Sequence, residues 1–243
     1  MDLEVSQLSF AYEHDRVIDQ LSLSVHAGEF VSLIGPSGSG KSTLFYLLGG
    51  LYQPLEGEIQ LGGQSIINQT GKIGYMPQQP SLFPWLTVAE NIRLGRRLNR
   101  ISSKFPDLVR LLKKARLDNV EHKYPHQLSG GMQQRVALLR TLAAGYPLLC
   151  LDEPFAALDA LTRQQMRAWL FELLLTEHQT ILFITHSVEE ALLLSDRIYV
   201  LTNRPLQVKK EIVLPFQRDL SFQQRRDQST FIDLRRKIES LLT

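Results

Sequence analysis

Cysteine occurs once in this chain of 243 residues, at Cys150, which excludes an internal disulfide and the whole class of disulfide-stapled scaffolds. Flanked by Leu149 and Leu151, that thiol reads as a buried core residue rather than a nucleophile. Long apolar runs are missing as well. The longest, Val136 to Leu151, is interrupted by Arg140 and Pro147, and a membrane-spanning helix needs roughly 20 residues, so the chain is expected to be soluble by itself. Nor is there an excess of one charge, with 27 Lys and Arg against 25 Asp and Glu. That balance removes the electrostatic case for a protein that binds nucleic acid by neutralising phosphates. The basic pairs Arg96-Arg97, Lys113-Lys114, Arg225-Arg226 and Arg235-Arg236 are scattered and read as solvated faces. No nucleic-acid partner is expected. The opening Met1-Asp2-Leu3-Glu4 lacks the basic and apolar regions of a secretory signal, which points to the cytosol. His122 and His126 stand four apart, but Pro125 breaks the helix that would align them on a metal.

What is present is an apolar fraction of 44%, enough to build a core in one domain. Leu3, Val5, Leu8 and Phe10, then Leu21, Leu23 and Val25, alternate as half-buried antiparallel strands do. Phe30 to Ile34, Leu148 to Leu151 and Ile181 to Ile184 are short apolar runs suited to strands buried on both faces of a parallel sheet. Met166, Trp169, Leu170, Leu173 and Leu174 recur at helical spacing between them, so the core is of the α/β class. The stretch from Gln79 to about Tyr124 reads as a mostly helical insertion, with Pro80, Pro84 and Pro106 and an amphipathic segment at Leu108, Leu111 and Leu112. After a looser segment from Pro215 to Ser229, a last helical stripe runs through Phe231, Leu234, Ile238 and Leu241.

Gly35-Pro36-Ser37-Gly38-Ser39-Gly40-Lys41-Ser42-Thr43 fits the phosphate-loop pattern GxxxxGK[ST], between a buried strand and the helical run Leu44 to Leu48. The chemistry needs that order. Glycines let backbone N–H groups curl around phosphate oxygens, and the helix N-terminus adds roughly half a positive charge. Lys41 is expected to reach the β- and γ-phosphates, and Ser42 to offer its hydroxyl to Mg²⁺, which keeps several waters and takes few protein ligands. Downstream, the strand Leu148 to Leu151 ends in Asp152-Glu153 at the ligand-binding edge of a parallel sheet. Two tasks await two acids: Asp152 to hold Mg²⁺ through its water shell, and Glu153 to polarise the attacking water as general base.

Leu128-Ser129-Gly130-Gly131-Met132-Gln133-Gln134-Arg135 closely resembles the signature of the ABC (ATP-binding-cassette) ATPases, LSGGQ followed by QR, with Met132 at the variable fifth position. The resemblance extends over nearly the whole chain up to Leu201. It implies a P-loop NTPase (RecA-like) core with an N-terminal antiparallel β subdomain and an inserted α-helical subdomain carrying the signature. The implied organisation is one domain over 1–243, with the core at about 1–78 and 147–210, the insertion at 79–146 and a tail at 211–243. The implied cofactors are ATP and Mg²⁺. Ser129, Gly130 and Gly131 then face the γ-phosphate held by a second, head-to-tail subunit, so each ATP is sandwiched in a homodimer. Tyr12 matches the aromatic that stacks on adenine, and Gln78, in Tyr75-Met76-Pro77-Gln78, the glutamine that contacts Mg²⁺ and water. Ala157-Leu158-Asp159 matches the D-loop, and His186 the switch histidine that contacts the γ-phosphate and holds Glu153 and its water. Three positions depart from the family: Ala156 where Ser or Gly is common, Pro77 where Phe is common, and Leu139 where Ala is common.

Within the family, Leu82-Phe83-Pro84-Trp85-Leu86-Thr87-Val88 and Tyr124-Pro125-His126-Gln127-Leu128 resemble the bacterial nitrate/sulfonate/taurine-type importers. That implies integral-membrane permease subunits as partners, an extracytoplasmic substrate-binding protein beyond them, and a place on the cytoplasmic side of the inner membrane. Fused membrane helices and the acidic loop of exporters are missing. Pyrimidine-precursor and polyamine importers fit the same motifs. Family members that act on DNA or the ribosome carry long coiled coils or tandem cassettes, and this chain carries neither.

Overall fold

The computed structural model describes residues 1–98, 108–156, 158–177, 179–218 and 220–242. Pro106, Ala157 and His178 lie outside the described residues, as do the side chains of Lys114, Leu173 and Leu174. In chain order the first half holds β1 (Leu3–Tyr12), β2 (Asp15–Val25), β3 (Phe30–Ile34), α1 (Lys41–Leu48), β4 (Glu56–Leu61), β5 (Gln64–Ser65), β6 (Gly74–Met76), α2 (Val88–Leu98) and α3 (Leu108–Lys114). The second half holds α4 (Gly130–Ala143), β7 (Leu148–Asp152), α5 (Ala160–Glu177), β8 (Thr180–Thr185), α6 (Val188–Leu194), β9 (Arg197–Leu201), β10 (Val208–Val213), α7 (Phe222–Arg226) and α8 (Ser229–Leu242).

Among the described residues the strands form two sheets. One is antiparallel, in the order β2-β1-β4-β5. The apolar alternation of β1 slips by one residue between Val5 and Leu8, where the pairing with β2 shifts register and Gln7 takes a left-handed φ of 49°. Gly57 of β4 sits against that bulge: a Cβ there would lie 2.5 Å from the Gln7 carbonyl oxygen, so no other residue fits.

The second sheet runs β10-β9-β3-β8-β7-β6, parallel except for β10. Its central strands are buried on both faces because successive side chains point to opposite sides. Val31 and Leu33, Leu148 and Cys150, and Leu182 and Ile184 pack with α1 and the antiparallel sheet. Their neighbours Phe30, Leu149, Leu151, Ile181 and Phe183 pack instead with α2 to α5. The architecture is therefore an α/β P-loop NTPase fold carrying an antiparallel β subdomain on one side. In the insertion, α2 begins at a reciprocal cap: the Glu90 amide donates to Thr87 Oγ1 (3.3 Å) and the Thr87 amide to Glu90 Oε2 (2.7 Å).

The tail corrects two expectations. The segment from Pro215 to Ser229 contains a helix, α7, which starts at a capping box made by Ser221 and Gln224. Arg225, read as part of a solvated face, is 2% exposed and donates to the carbonyls of Leu193 and Gln217, both at 3.0 Å. It also lies over the rings of Phe171 and Phe216. An Arg at the C-terminal end of α6 satisfies a carbonyl that the helix itself leaves without a partner. Phe231 and Ile238 of α8 are buried against α6 and β9, as the helical stripe required.

Candidate active site

Parallel strands deliver their C-terminal ends to one edge of the sheet, and three of them bring the candidate site residues there. β3 leads into the glycine loop, β7 ends in Asp152-Glu153, and β8 ends beside His186. A cleft of about 410 Å³ opens there, lined by Ser37, Gly38, Gly40, Lys41, Ser42, Thr43, Gln78, Asp152, Glu153, Ile184 and Arg204.

The loop has the geometry of a phosphate cradle. Gly38 has φ 76° and faces open space, while Gly40, the N-cap of α1, has φ 112° and would drive a Cβ to 2.7 Å from Val17 Cγ1. No side chain caps α1, so its first amides remain directed at the cleft. The Lys41 ammonium donates to the Gly35 carbonyl (2.9 Å) and the Pro36 carbonyl (2.7 Å), with Ser39 Oγ at 3.4 Å. Burial lowers its pKa, and the charges of Glu153 and Asp152 pull it back up. These features fit the phosphates of a bound nucleoside triphosphate.

Asp152 is buried and carries a raised pKa, chiefly because burial disfavours its charge; a hydrogen bond from Ser42 opposes the shift and Glu153 adds to it. The Tyr75 hydroxyl lies 3.5 Å from Asp152 Oδ2, and burial pushes that phenol well above its ordinary range. Among the described residues no group of three His, Cys, Asp or Glu side chains is placed to hold a metal ion. The neighbouring Ser42 hydroxyl and Asp152 carboxylate instead offer the few hard oxygen donors that suit Mg²⁺ shared with phosphate and water.

Glu153 stands apart conformationally. Its φ of 44° lies in the left-handed region, which costs a non-glycine residue about 1–3 kcal/mol and is tolerated where the surroundings over-determine it. The surroundings do so here: its amide donates to the Ile184 carbonyl (3.0 Å), and its Oε2 lies 3.2 Å from His186 Nδ1 and 3.5 Å from Gln78 Nε2. Tyr12 is 38% exposed, edge-on to Phe10 at 4.9 Å, and its hydroxyl meets Thr43 Oγ1 at 3.4 Å.

The signature residues lie elsewhere. Ser129, Gly130, Gly131 and Asp159 do not line the cleft. Ser129 caps α4 by accepting from the Met132 amide (3.3 Å), and a Cβ on Gly130 would meet nothing within 4 Å. Gly131 packs so closely on α5 that a Cβ would lie 2.9 Å from Thr162 Cγ2. Asp159 accepts from the Thr162 amide (3.0 Å) and so caps α5.

Sequence reading missed Arg204. Its Nε donates to the Gly38 carbonyl (3.0 Å), and its Nη1 reaches Asp15 Oδ2 at 2.5 Å, which ties the glycine loop to the β1–β2 turn. No motif marks Asn203-Arg204-Pro205, and the position lies just past Leu201, so no sequence signal could have found it.

A glycine loop closed onto a helix N-terminus, facing two carboxylates at the end of an adjacent parallel strand, defines a P-loop nucleotide-binding protein. Comparison with known proteins narrows the class. The sequence profile of ABC transporters matches residues 18–156. The formylaminopyrimidine import ATP-binding protein ThiZ of Halalkalibacterium halodurans is 43% identical over 216 residues, 88% of this chain and 84% of that protein. The taurine import ATP-binding protein TauB of Roseobacter denitrificans is 40% identical over 221 residues, 88% of this chain and 82% of its own length. Among solved structures, a dimeric ATP-binding cassette in a post-hydrolysis state, bound to ADP and Pi, superposes with a TM-score of 0.76 at 30% identity, covering 88% of this chain and 100% of its own. The chain belongs to the ABC transporter family, and it is an ATP-binding, ATP-hydrolysing cassette.

Proposed function

We propose that the chain energises a bacterial importer of the nitrate/sulfonate/taurine type, working as a homodimer on integral-membrane permease subunits and, through them, an extracytoplasmic substrate-binding protein. The observation that carries this reading is the division of the site: the glycine loop, Gln78, Asp152, Glu153 and His186 converge on one cleft, while the signature turn lies outside it on exposed surface. A signature turn so placed supports completion of each site by Ser129, Gly130, Gly131 and Asp159 of a second copy. No described helix is long and apolar enough to cross a membrane; attachment on the cytoplasmic side is part of the importer reading. The chain is then one ATPase domain, with its core at about 1–78 and 147–210, the insertion at about 79–146 and the tail at about 211–243.

In this reading the amides of residues 38–43 and Lys41 bind the phosphates, and Tyr12 stacks on adenine. Mg²⁺ would be held by Ser42, Gln78 and, through water, Asp152, and would neutralise charge on the transferred phosphoryl group. Glu153 accepts the proton of the attacking water, oriented by His186 and Gln78. The test is Glu153→Gln, which should keep ATP affinity while turnover, read by phosphate release, falls by a factor of about 10² to 10⁴. Wild-type turnover in that variant would remove Glu153 from the role of base.

The insertion supplies a route from cleft to partner. Gln134 Nε2 of α4 lies 3.5 Å from the Gln78 carbonyl, and Arg140 of the same helix donates to the carbonyls of Ser81 (2.8 Å) and Pro80 (3.0 Å). Beside them lies a groove of about 290 Å³ lined by Tyr75, Ser81, Phe83, Leu94 and Arg140 among others. Phe83, which lines it, and Trp85, whose ring lies 5.4 Å from that of Phe83, are 37% and 69% exposed and form the proposed dock for a cytoplasmic permease helix. A pyrimidine-precursor importer is the second reading, supported by the 43% identity to the formylaminopyrimidine relative. Transport assays with the co-purified permease distinguish the two.

A further inference from the structure

The His186 side chain is 58% exposed, so packing does little to aim its ring at Glu153. Its direction rests on the contact with Glu153 and on the backbone of the turn that carries it. That turn is closed by side chains on both flanks of the histidine. The Thr185 hydroxyl donates to Glu190 Oε2 at 2.6 Å and accepts from the Ser187 amide at 3.0 Å, and the Glu190 amide donates to Ser187 Oγ at 3.3 Å. Each member is thereby linked to the other two. Thr185 and Glu190 are both buried, at 2% and 6% exposure. The ring also spans two elements, because Thr185 ends β8 and Glu190 lies in the first turn of α6.

A buried carboxylate needs a reason. Burial raises the pKa of Glu190, and the Thr185 hydrogen bond together with the charges of Arg167, Arg163 and His186 offsets only part of the rise. A leucine at this helix position would pack without that cost, yet it could not accept from Thr185. On the opposite wall, the Glu153 amide donates to the Ile184 carbonyl, so the strand end that carries Thr185 also positions the other partner of the His186–Glu153 pair.

We propose that Glu190 and Thr185 are positioning residues for hydrolysis: their hydrogen-bonded ring with Ser187 fixes the turn at His186 and so holds its imidazole against Glu153. The proposal rests on the site reading given above, in which His186 acts through Glu153. Neither residue touches the cleft, and each acts only through the histidine.

The experiment compares conservative and disruptive pairs in the full-length chain. Thr185→Val removes the hydroxyl at nearly constant volume, and Thr185→Ser keeps it; Glu190→Ala removes the acceptor, and Glu190→Gln keeps one. The two disruptive variants, T185V and E190A, should each lower kcat about tenfold, the loss expected when one hydrogen bond to a charged group disappears. The KM for ATP should stay within about twofold, since the phosphate cradle is untouched. T185S and E190Q should stay within about threefold of the parent in kcat. Combined with His186→Ala, T185V should cost no further turnover beyond about twofold in single-turnover phosphate release, because interactions through a missing residue are not additive. Parental kcat in T185V would overturn the proposal, as would a tenfold loss repeated on the His186→Ala background. Parental turnover in His186→Ala alone would instead overturn the site reading beneath it.

Discussion

At the residue scale, Asp152 and Glu153 are adjacent carboxylates with opposite environments. Asp152 is buried among Ser42, Tyr75 and Lys41, whereas Glu153 is turned by its positive φ toward the cleft and His186. Period-2 reading of a strand predicts that neighbours point apart, but not that the second residue leaves the strand in the left-handed region. The raised pKa of Asp152 has a definite sign in stability. A carboxyl that binds its proton more tightly when folded contributes stability below its ordinary value of 3.8, and that contribution is lost as pH rises through the folded value. At neutral pH without nucleotide the charge is therefore a burden on the fold. Asp152→Asn should raise the Tm of the nucleotide-free protein by about 2–4 °C, the shift that ~1 kcal/mol makes in a chain of this size. It should also flatten the fall of Tm between pH 4 and neutrality while turnover collapses. Scanning calorimetry across that range decides the point, and a lower Tm in the variant would contradict it.

At the element scale, the loop before α2 shows how a polar side chain can hold an apolar surface outward. Asn91 is fully buried and donates to the carbonyls of Phe83 (3.1 Å), Leu86 (3.0 Å) and Thr87 (3.1 Å), while its Oδ1 accepts from the Phe83 amide (2.9 Å). Both ends of the Phe83–Thr87 segment are thus tied to α2, and Trp85 is left projecting with its ring 5.4 Å from that of Phe83. An exposed aromatic on a rigid loop loses little conformational entropy when it docks. Trp85→Ala should leave the basal ATPase of the isolated subunit within about twofold of wild type. Permease association should weaken by roughly 2 kcal/mol, the scale of an interfacial aromatic anchor, as a co-purification titration would read it. Equal permease affinity in the two proteins would discard the dock. The presence of Phe, Pro and Trp here was legible in the sequence. The ties from Asn91 that hold this segment were not, because that residue has no motif of its own.

At the scale of the whole molecule, the cleft holds a phosphate loop and two acids but not the signature turn, whose bare Gly130 faces open space. If each site is completed by a second copy, hydrolysis by the isolated subunit should rise faster than linearly with protein concentration. Glu153→Gln with ATP should elute as a dimer in size-exclusion chromatography. A monomer with full activity at every concentration would refute the composite site. The tail enters at this scale too. Arg225, Arg226 and α8 pack on α6, the helix that follows His186, so the described part of the tail belongs to the core beside that histidine rather than to a detached appendage.

Local chemistry is what the sequence determined by itself. Consecutive residues suffice to specify a phosphate loop, a strand ending in two acids, and a serine-capped glycine turn, because each works through its own backbone and immediate neighbours. The α/β alternation was legible for the same reason, since burial on two faces leaves a continuous apolar run. Only the tertiary structure decided which distant groups meet. It brought Arg204 to the Gly38 carbonyl, buried Arg225 beneath the tail, moved Gln7 into a bulge against Gly57, and closed Thr185, Ser187 and Glu190 into a ring beside His186. Such contacts depend on chain-distant packing or on the angle at which a helix leaves a strand, and residue spacing carries neither.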